Sequence, residues 1–448
     1  MELYAIPYKD KVIIYRPLRH LAFIGNRAMA RLCETLSAAG PAARRADTET
    51  DLFLRTVGFF EEDARLADNT PVSNAFLPTV CVLFLTDACN LRCIYCYAHG
   101  DGAGETRDLP LSLARAAIDT VCRNALDQGH DHYSICFHGG GEPTMAWSVL
   151  KDCVTYARKS PIPAKINLTS NGVWTETQRA WILDNIDEIS LSFDGLPSIQ
   201  DTQRPRRSGR GSHASVARTL RALDRKEIAY GIRVTVTDRT ITRIPENIDY
   251  LCRETGSPAF QVEPAFAHGR ARLDRVVLRQ QADFAEYFME GYDIATRHQR
   301  HMYYSGARPW LLTSRFCDAV VSALIVGPDG FLTACYEICN RRHELAAAFI
   351  FGDMDASGAI RLTPGARQGF LVKIEEHRQS CKSCFCFYHC AGDCPSKTFS
   401  GQRDNPFTHG SRCELNRTIT MELLVRYIEE GGGVWRGTRS PPFSGETA

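Results

Sequence analysis

Six short apolar runs separated by helical patterns constrain this chain more than any other feature. Residues 79–86, 132–137, 165–169, 188–193, 230–236 and 259–263 read as strands, with helical stretches such as 111–126 and 145–158 between them. A strand that reaches its successor only through a helix cannot form a hairpin, so it pairs in parallel through a right-handed crossover. The expected fold class is therefore α/β. Six such units over residues 76–309 suit an open, partial (β/α)6 TIM-like barrel, whose chemistry gathers just beyond the C-terminal ends of its strands.

The flanking zones read differently. In residues 1–75, strands at 11–17 and 21–24 precede two helices, 28–36 capped by Asn26 and 51–57 ending at Gly58. This predicts a small α+β module. Residues 310–430 are Cys-rich and poor in regular pattern, where bound metal would supply order that a small apolar core cannot. Residues 431–448, rich in Gly, Pro and Ser, read as a flexible tail. The 448 residues carry a formal net charge of +1, which argues against nucleic acid or an anionic membrane as partner. No apolar run nears the length of a membrane span and the N-terminus has no signal core, so a cytoplasmic protein is expected. Eighteen Cys in such a chain point to metal or redox use, not to disulfides. Cys33, Cys81, Cys122, Cys136, Cys153 and Cys252 fit no ligand spacing and read as small apolar core residues.

Just after the first strand stands Cys89-Asn90-Leu91-Arg92-Cys93-Ile94-Tyr95-Cys96-Tyr97. Three thiolates in one loop can hold three irons of a four-iron cluster and leave the fourth iron open. A zinc knuckle is the alternative, but zinc takes four ligands, and His99 is the only local fourth candidate. The C-x3-C-x2-C spacing, with an aromatic residue before the last Cys, resembles the signature of radical S-adenosylmethionine (radical SAM) enzymes. That resemblance implies a [4Fe-4S] cluster on Cys89, Cys93 and Cys96 that binds S-adenosylmethionine. After the second strand, Gly139-Gly140-Gly141-Glu142-Pro143-Thr144 resembles the family motif that meets the methionine ammonium. Ser170 and Asn171 follow the third strand, and Ser192 and Asp194 the fourth. The resemblance places these four, with Arg204 and Tyr95, around the cofactor; for Arg204, a plain surface role is the alternative.

Cys317, Gly330, Cys335, Cys381, Cys384, Cys390, Cys394 and Cys413 follow the order and spacing of the SPASM extension of radical SAM peptide maturases. The resemblance implies two auxiliary [4Fe-4S] clusters. One would use Cys381, Cys384, Cys390 and Cys413. The other would use Cys317, Cys335 and Cys394, with Cys339 and Cys386 as candidates for its last ligand. A zinc ribbon with Cys381 and Cys384 as one half is the alternative. The N-terminal module resembles the winged-helix element that captures precursor peptides in such enzymes. The function implied is cross-linking (C–C, C–S or C–O) of a ribosomally made precursor peptide in a bacterial cell. Reduced flavodoxin or ferredoxin would be the electron donor. Anaerobic sulfatase maturases share both motifs but carry an Asp directly after the Cys at position 335. Here Tyr336 and then Glu337 stand there, with Glu337 or Asp329 as candidate base, and Glu263 and His268 as further acid–base candidates. The other rivals are a radical enzyme acting on a small molecule or nucleic acid, and a non-catalytic iron–sulfur carrier or zinc-stabilised module.

Overall fold

The structure, a computed structural model, describes residues 1–39, 48–66, 75–98, 106–278, 281–399 and 409–437. These fall into two compact units, one drawn from 1–66, 304–316 and 374–437, the other from 75–303 and 317–373.

The first unit starts with three antiparallel strands, β1 (Tyr4–Tyr8), β2 (Lys11–Arg16) and β3 (Leu21–Gly25). Helices Arg27–Ala39 and Glu49–Thr56 follow. Asn26 and Thr48 accept hydrogen bonds from the amides three residues on, at Met29 (2.8 Å) and Asp51 (3.2 Å), and so satisfy otherwise orphaned helix donors. Strand β1 is absent from the sequence reading because Pro7 interrupts its pattern. The core joins Ile14 and Phe23 to Cys33, Leu54 and Phe59. The Arg16 guanidinium is fully buried and held by the carbonyls of Phe59 and Glu61 and by Asp63.

The expected tail is corrected here. Val434–Arg436 is a strand paired antiparallel to β3, and Trp435 packs on Tyr15, His20 and Tyr427. A large ring with an apolar pocket anchors the chain despite the surrounding glycines. Residues 438–448 lie outside the described residues.

The second unit is built on one sheet. The six strands read from the sequence are β4 (Val80–Leu83), β5 (Tyr133–Phe137), β6 (Ala164–Ser170), β7 (Glu188–Ser192), β8 (Tyr230–Val236) and β9 (Ala259–Pro264). All neighbours among them pair in parallel. A further parallel strand, β10 (His301–Tyr303), lies beyond β9. On the other side β11 (Ala323–Val326) pairs parallel with β4 and leads into the antiparallel β12 (Phe331–Thr333), β13 (Ile350–Met354) and β14 (Ile360–Leu362). The β4–β11 pairing is why residues 317–373, grouped by sequence with the Cys-rich segment, share a unit with the parallel sheet. Helices Leu111–Asp127 and Trp147–Ala157 bury Leu113, Ile118, Val121, Leu150 and Val154. Along β6, Ile166 and Leu168 are buried while Asn167 and Thr169 are half-buried, so one face packs as core and the other carries polar side chains. Among the described residues, no helix is long and apolar enough to cross a membrane.

Candidate functional site

The loop after β4 is held on three sides. The amides of Arg92 and Ile94 donate to the carbonyls of Pro205 (2.8 Å) and Gln203 (2.9 Å), so the Cys loop lies along the segment that follows β7. The Gly-rich turn after β5 closes a second side, with Gly141 N–H donating to Thr86 O (2.7 Å) and Glu142 N–H to Ala88 O (2.7 Å). Only glycine fits there. A Cβ on Gly141 would stand 1.8 Å from Ala88 O, and Gly140 has φ +68 with its Cβ site 2.6 Å from Thr86 O. From a third side, Arg270 donates its own N–H to Cys96 O (2.9 Å) and its guanidinium to Cys93 O (2.5 Å).

Two buried carboxylates knit these segments together. Glu142 accepts from Thr144 Oγ1 (2.8 Å), Ser170 Oγ (2.7 Å) and the Asn171 amide (2.8 Å). Burial nevertheless keeps its carboxyl above the usual range. Asp194 accepts from Tyr95 OH (2.5 Å), Gln203 Nε2 (2.8 Å) and the Thr235 amide (3.0 Å), and pairs with Arg204 (3.2 Å). Arg204 is buried and lies over the Tyr95 ring, so the surface alternative does not hold. Asn171 Nδ2 donates to Asn90 Oδ1 (2.8 Å) and reaches Cys89 Sγ (3.8 Å). Ser192 is half-buried at the end of β7. Tyr95, the Gly139–Gly141 turn, Glu142, Ser170, Asn171, Asp194 and Arg204 thus belong to one network. Asn90 and Arg270 belong to it too. Arg270 lies far along the chain, outside any motif, and no local signal marks it.

The three thiols fit a metal group. Cys89, Cys93 and Cys96 are half-buried and act on one another electrostatically. Burial pushes the Cys93 thiol up to about 11 and raises Cys89 as well. Thiols gathered in a desolvated loop become thiolate ligands when a cation binds beside them. His99 lies outside the described residues. Cys339 is buried and acts on Cys96, but its thiol is turned to the carbonyls of Tyr336 (3.5 Å) and Glu337 (3.4 Å).

The remaining cysteines gather separately. In the first unit Cys381, Cys384, Cys390 and Cys413 interact electrostatically, and buried Cys386 joins them beside Cys384. Hydrogen bonding with Cys386 draws the Cys384 thiol below its ordinary range. His409 Nδ1 is 3.8 Å from both Cys381 Sγ and Cys413 Sγ, and His377 completes a group able to hold a metal. A buried ion pair, Arg412 to Asp393 at 2.7 and 2.9 Å, supports the Cys390–Cys394 turn. Cys394 contacts Ser396 in this unit (3.3 Å), while Cys317 and Cys335 lie in the second unit, where both act on Tyr336.

Residues 83–252 match the model of the radical SAM superfamily. The chain carries a radical SAM domain. The sporulation killing factor maturation protein SkfB of Bacillus subtilis is 24% identical over 273 residues, 58% of this chain and 61% of the relative. A serine-type anaerobic sulfatase-maturating enzyme of Klebsiella aerogenes is 25% identical over 334 residues, 69% of this chain and 77% of the relative. Across three of the matched relatives, the chain spans 41 to 61% of their length. Among solved structures, anSMEcpe with bound AdoMet and Cp18Cys peptide superposes with a TM-score of 0.63 at 16% identity, covering 79% of this chain and 99% of that one. SuiB of Streptococcus suis bound to precursor peptide SuiA gives 0.55 at 14% identity, covering 92% and 98%. At these identities the structural likeness establishes the fold.

The candidate acid–base groups all follow the matched residues 83–252 in the chain and fall in different surroundings. Tyr336 is half-buried against His138, ring centroids 5.1 Å apart, and Glu337 acts on His138 and Tyr97. Asp329 lies instead in the β11–β12 turn, accepting from Arg341 Nε (3.0 Å). His268 contacts Glu344 (2.9 Å) and Glu263 accepts from Gln261 (3.2 Å). Of the six cysteines expected as core, Cys136 is the exception. It is half-buried on β5 and within reach of Asn167 Nδ2 (3.8 Å).

Proposed function

We propose that this chain is a radical SAM peptide maturase that forms a cross-link within a precursor peptide. The observation that carries the reading is the convergence of the three-thiol loop, the Gly-Gly-Gly-Glu turn, Ser170, Asn171 and Asp194 in one hydrogen-bonded network beyond the strand ends. When bound, S-adenosylmethionine with a cluster on Cys89, Cys93 and Cys96 supplies a carbon radical that takes hydrogen from a C–H bond, and auxiliary iron on Cys381, Cys384, Cys390 and Cys413 supplies an electron acceptor. The chain's own part is positional. Glu142 and Asp194 fix the segments that carry the ligands, and Arg270 pins the loop backbone at Cys93 and Cys96. Glu337, beside Tyr336, is the proposed base for the proton released as the bond closes.

A peptide substrate is supported by the peptide-bound state of both superposed structures and by the maturation role in the SkfB name. In this reading the leader adds as a strand to β1, the edge opposite the one that Val434–Arg436 covers. The sulfatase-maturating relative supports a second reading, oxidation of one Cys or Ser to formylglycine. The test is anaerobic reconstitution with reductant, S-adenosylmethionine and the short peptide encoded beside the gene. Formation of 5′-deoxyadenosine with a peptide lighter by two hydrogens and a new intramolecular link supports the proposal. Formylglycine in its place supports the second reading, and the absence of 5′-deoxyadenosine refutes both.

A further inference from the structure

Inside the radical SAM domain the half-buried Arg233 has no counter-ion among the described residues. Arg233 sits on β8, where Ile232 and Val234 are buried and Arg233 and Thr235 are half-buried on the opposite face. Its charge acts on Cys136, on His138 just after β5, on Tyr97 beyond the Cys loop and on Tyr336 after Cys335. Strands β8 and β5 are three places apart in the sheet, about 14 Å if the sheet were flat. The curvature of the sheet is what brings one guanidinium to bear on groups across it. Two of these groups, His138 and Tyr336, are in ring contact at 5.1 Å, so the charge of Arg233 bears on one local cluster.

The guanidinium makes no hydrogen bond and no ion pair among the described residues. Other buried or half-buried arginines of this unit are engaged: Arg204 by Asp194, Arg270 by the Cys93 carbonyl. The nearby acids do not serve Arg233. Glu142 and Asp194 are committed to their own donors, Glu263 accepts from Gln261, and Glu337 acts on the same His138 and Tyr97 without pairing with Arg233. A partly desolvated guanidinium is costly to keep without an anion, and its planar fork matches a carboxylate.

We propose that Arg233 anchors a carboxylate of the substrate peptide, an Asp or Glu side chain close to the residue under attack. The inference rests on the peptide-maturase reading and deepens it by naming a chemical requirement of the substrate. The reach of Arg233 to Tyr336, next to Glu337, the proposed base, points to the peptide; Ser192 pairs with Arg233 in the strand register, so the methionine carboxylate of the cofactor is the competing source that the experiment separates.

The experiment uses the full reconstituted chain with S-adenosylmethionine. The probe is an equimolar pool of matched synthetic peptides, half carrying Asp or Glu where the other half carry Asn or Gln. Bound peptides are identified by mass spectrometry. The wild type is expected to enrich acidic members by about tenfold, Arg233→Leu to lose that selectivity, and Arg233→Lys to keep part of it. No acidic enrichment by the wild type, or equal enrichment by Arg233→Leu, overturns the inference. Cofactor affinity is measured in parallel. A tenfold fall in Arg233→Leu with peptide selectivity intact assigns the guanidinium to the cofactor and overturns it too. If the wild type forms 5′-deoxyadenosine without selecting acidic peptides, the carboxylate anchor fails and the maturase function stands. If it selects acidic peptides without forming 5′-deoxyadenosine, the anchor stands and the maturase function fails.

Discussion

Replacing Asp194 by Asn tests how the Cys loop is held. The carboxylate is fully buried and takes four partners: Tyr95 OH, Gln203 Nε2, the Thr235 amide and the Arg204 guanidinium. An Asn still accepts from one or two donors but carries no charge, leaving Arg204, itself buried, without its counter-ion. Removing one partner of a buried pair costs about 3–5 kcal/mol. The loss falls on the segment that pins the loop, since the amides of Arg92 and Ile94 bond to Pro205 and Gln203, on either side of Arg204. A local loss of about 3 kcal/mol speeds exchange of those two amides roughly 150-fold. Hydrogen exchange read by mass spectrometry on peptides covering 91–98 measures it. Adding Arg204→Met removes the stranded charge, and an apolar replacement of a buried pair is close to neutral, so the double variant should recover to within about tenfold of wild type. Unchanged protection in Asp194→Asn, or no recovery in the double variant, refutes the view that this ion pair fastens the loop.

Gly141→Ala should prevent loading of the radical SAM cluster while auxiliary iron remains. Its Cβ meets Ala88 O at 1.8 Å, and relief breaks the two backbone bonds between turn and Cys loop, at about 1 kcal/mol each plus overpacking strain; iron analysis with electron paramagnetic resonance reads it. Cys93→Ala should abolish 5′-deoxyadenosine formation, whereas Cys384→Ala should leave cleavage intact and stop product formation, as followed by chromatography and peptide mass. Burial and then the Arg233 charge lower His138 to about 3. The unfolded chain therefore binds the extra proton as pH falls from about 6.5 toward 3, and stability drops across that window by up to about 1.4 kcal/mol per unit, an order-of-magnitude slope. His138→Gln should flatten that part of the acid-unfolding profile, measured by circular dichroism.

Much of the site was legible because its chemistry is local. Three thiols at C-x3-C-x2-C, a glycine turn ending in Glu142 and polar residues at strand ends each leave a signature within a few residues, and strand–helix alternation orders them around one parallel sheet. Three-residue strands such as β10 and β12 were not legible, since so short a run carries no period. Nor was the Val434–Arg436 strand, whose glycine-rich surroundings spell mobility while Trp435 packs on Tyr15 and His20, more than four hundred positions away, as well as on nearby Tyr427.

From its residues alone, then, the chain determined where its candidate metal-holding thiols stand, the parallel order of its sheet and the strand ends at which the candidate site lies, because covalent spacing and crossover handedness act over short distances. Tertiary structure decided what Arg204, Arg270 and Arg233 do. An arginine's role depends on which anion or carbonyl the folded chain brings to it. One found Asp194, one found the backbone of the Cys loop, and the third stands half-buried on β8, where no carboxylate among the described residues pairs with it.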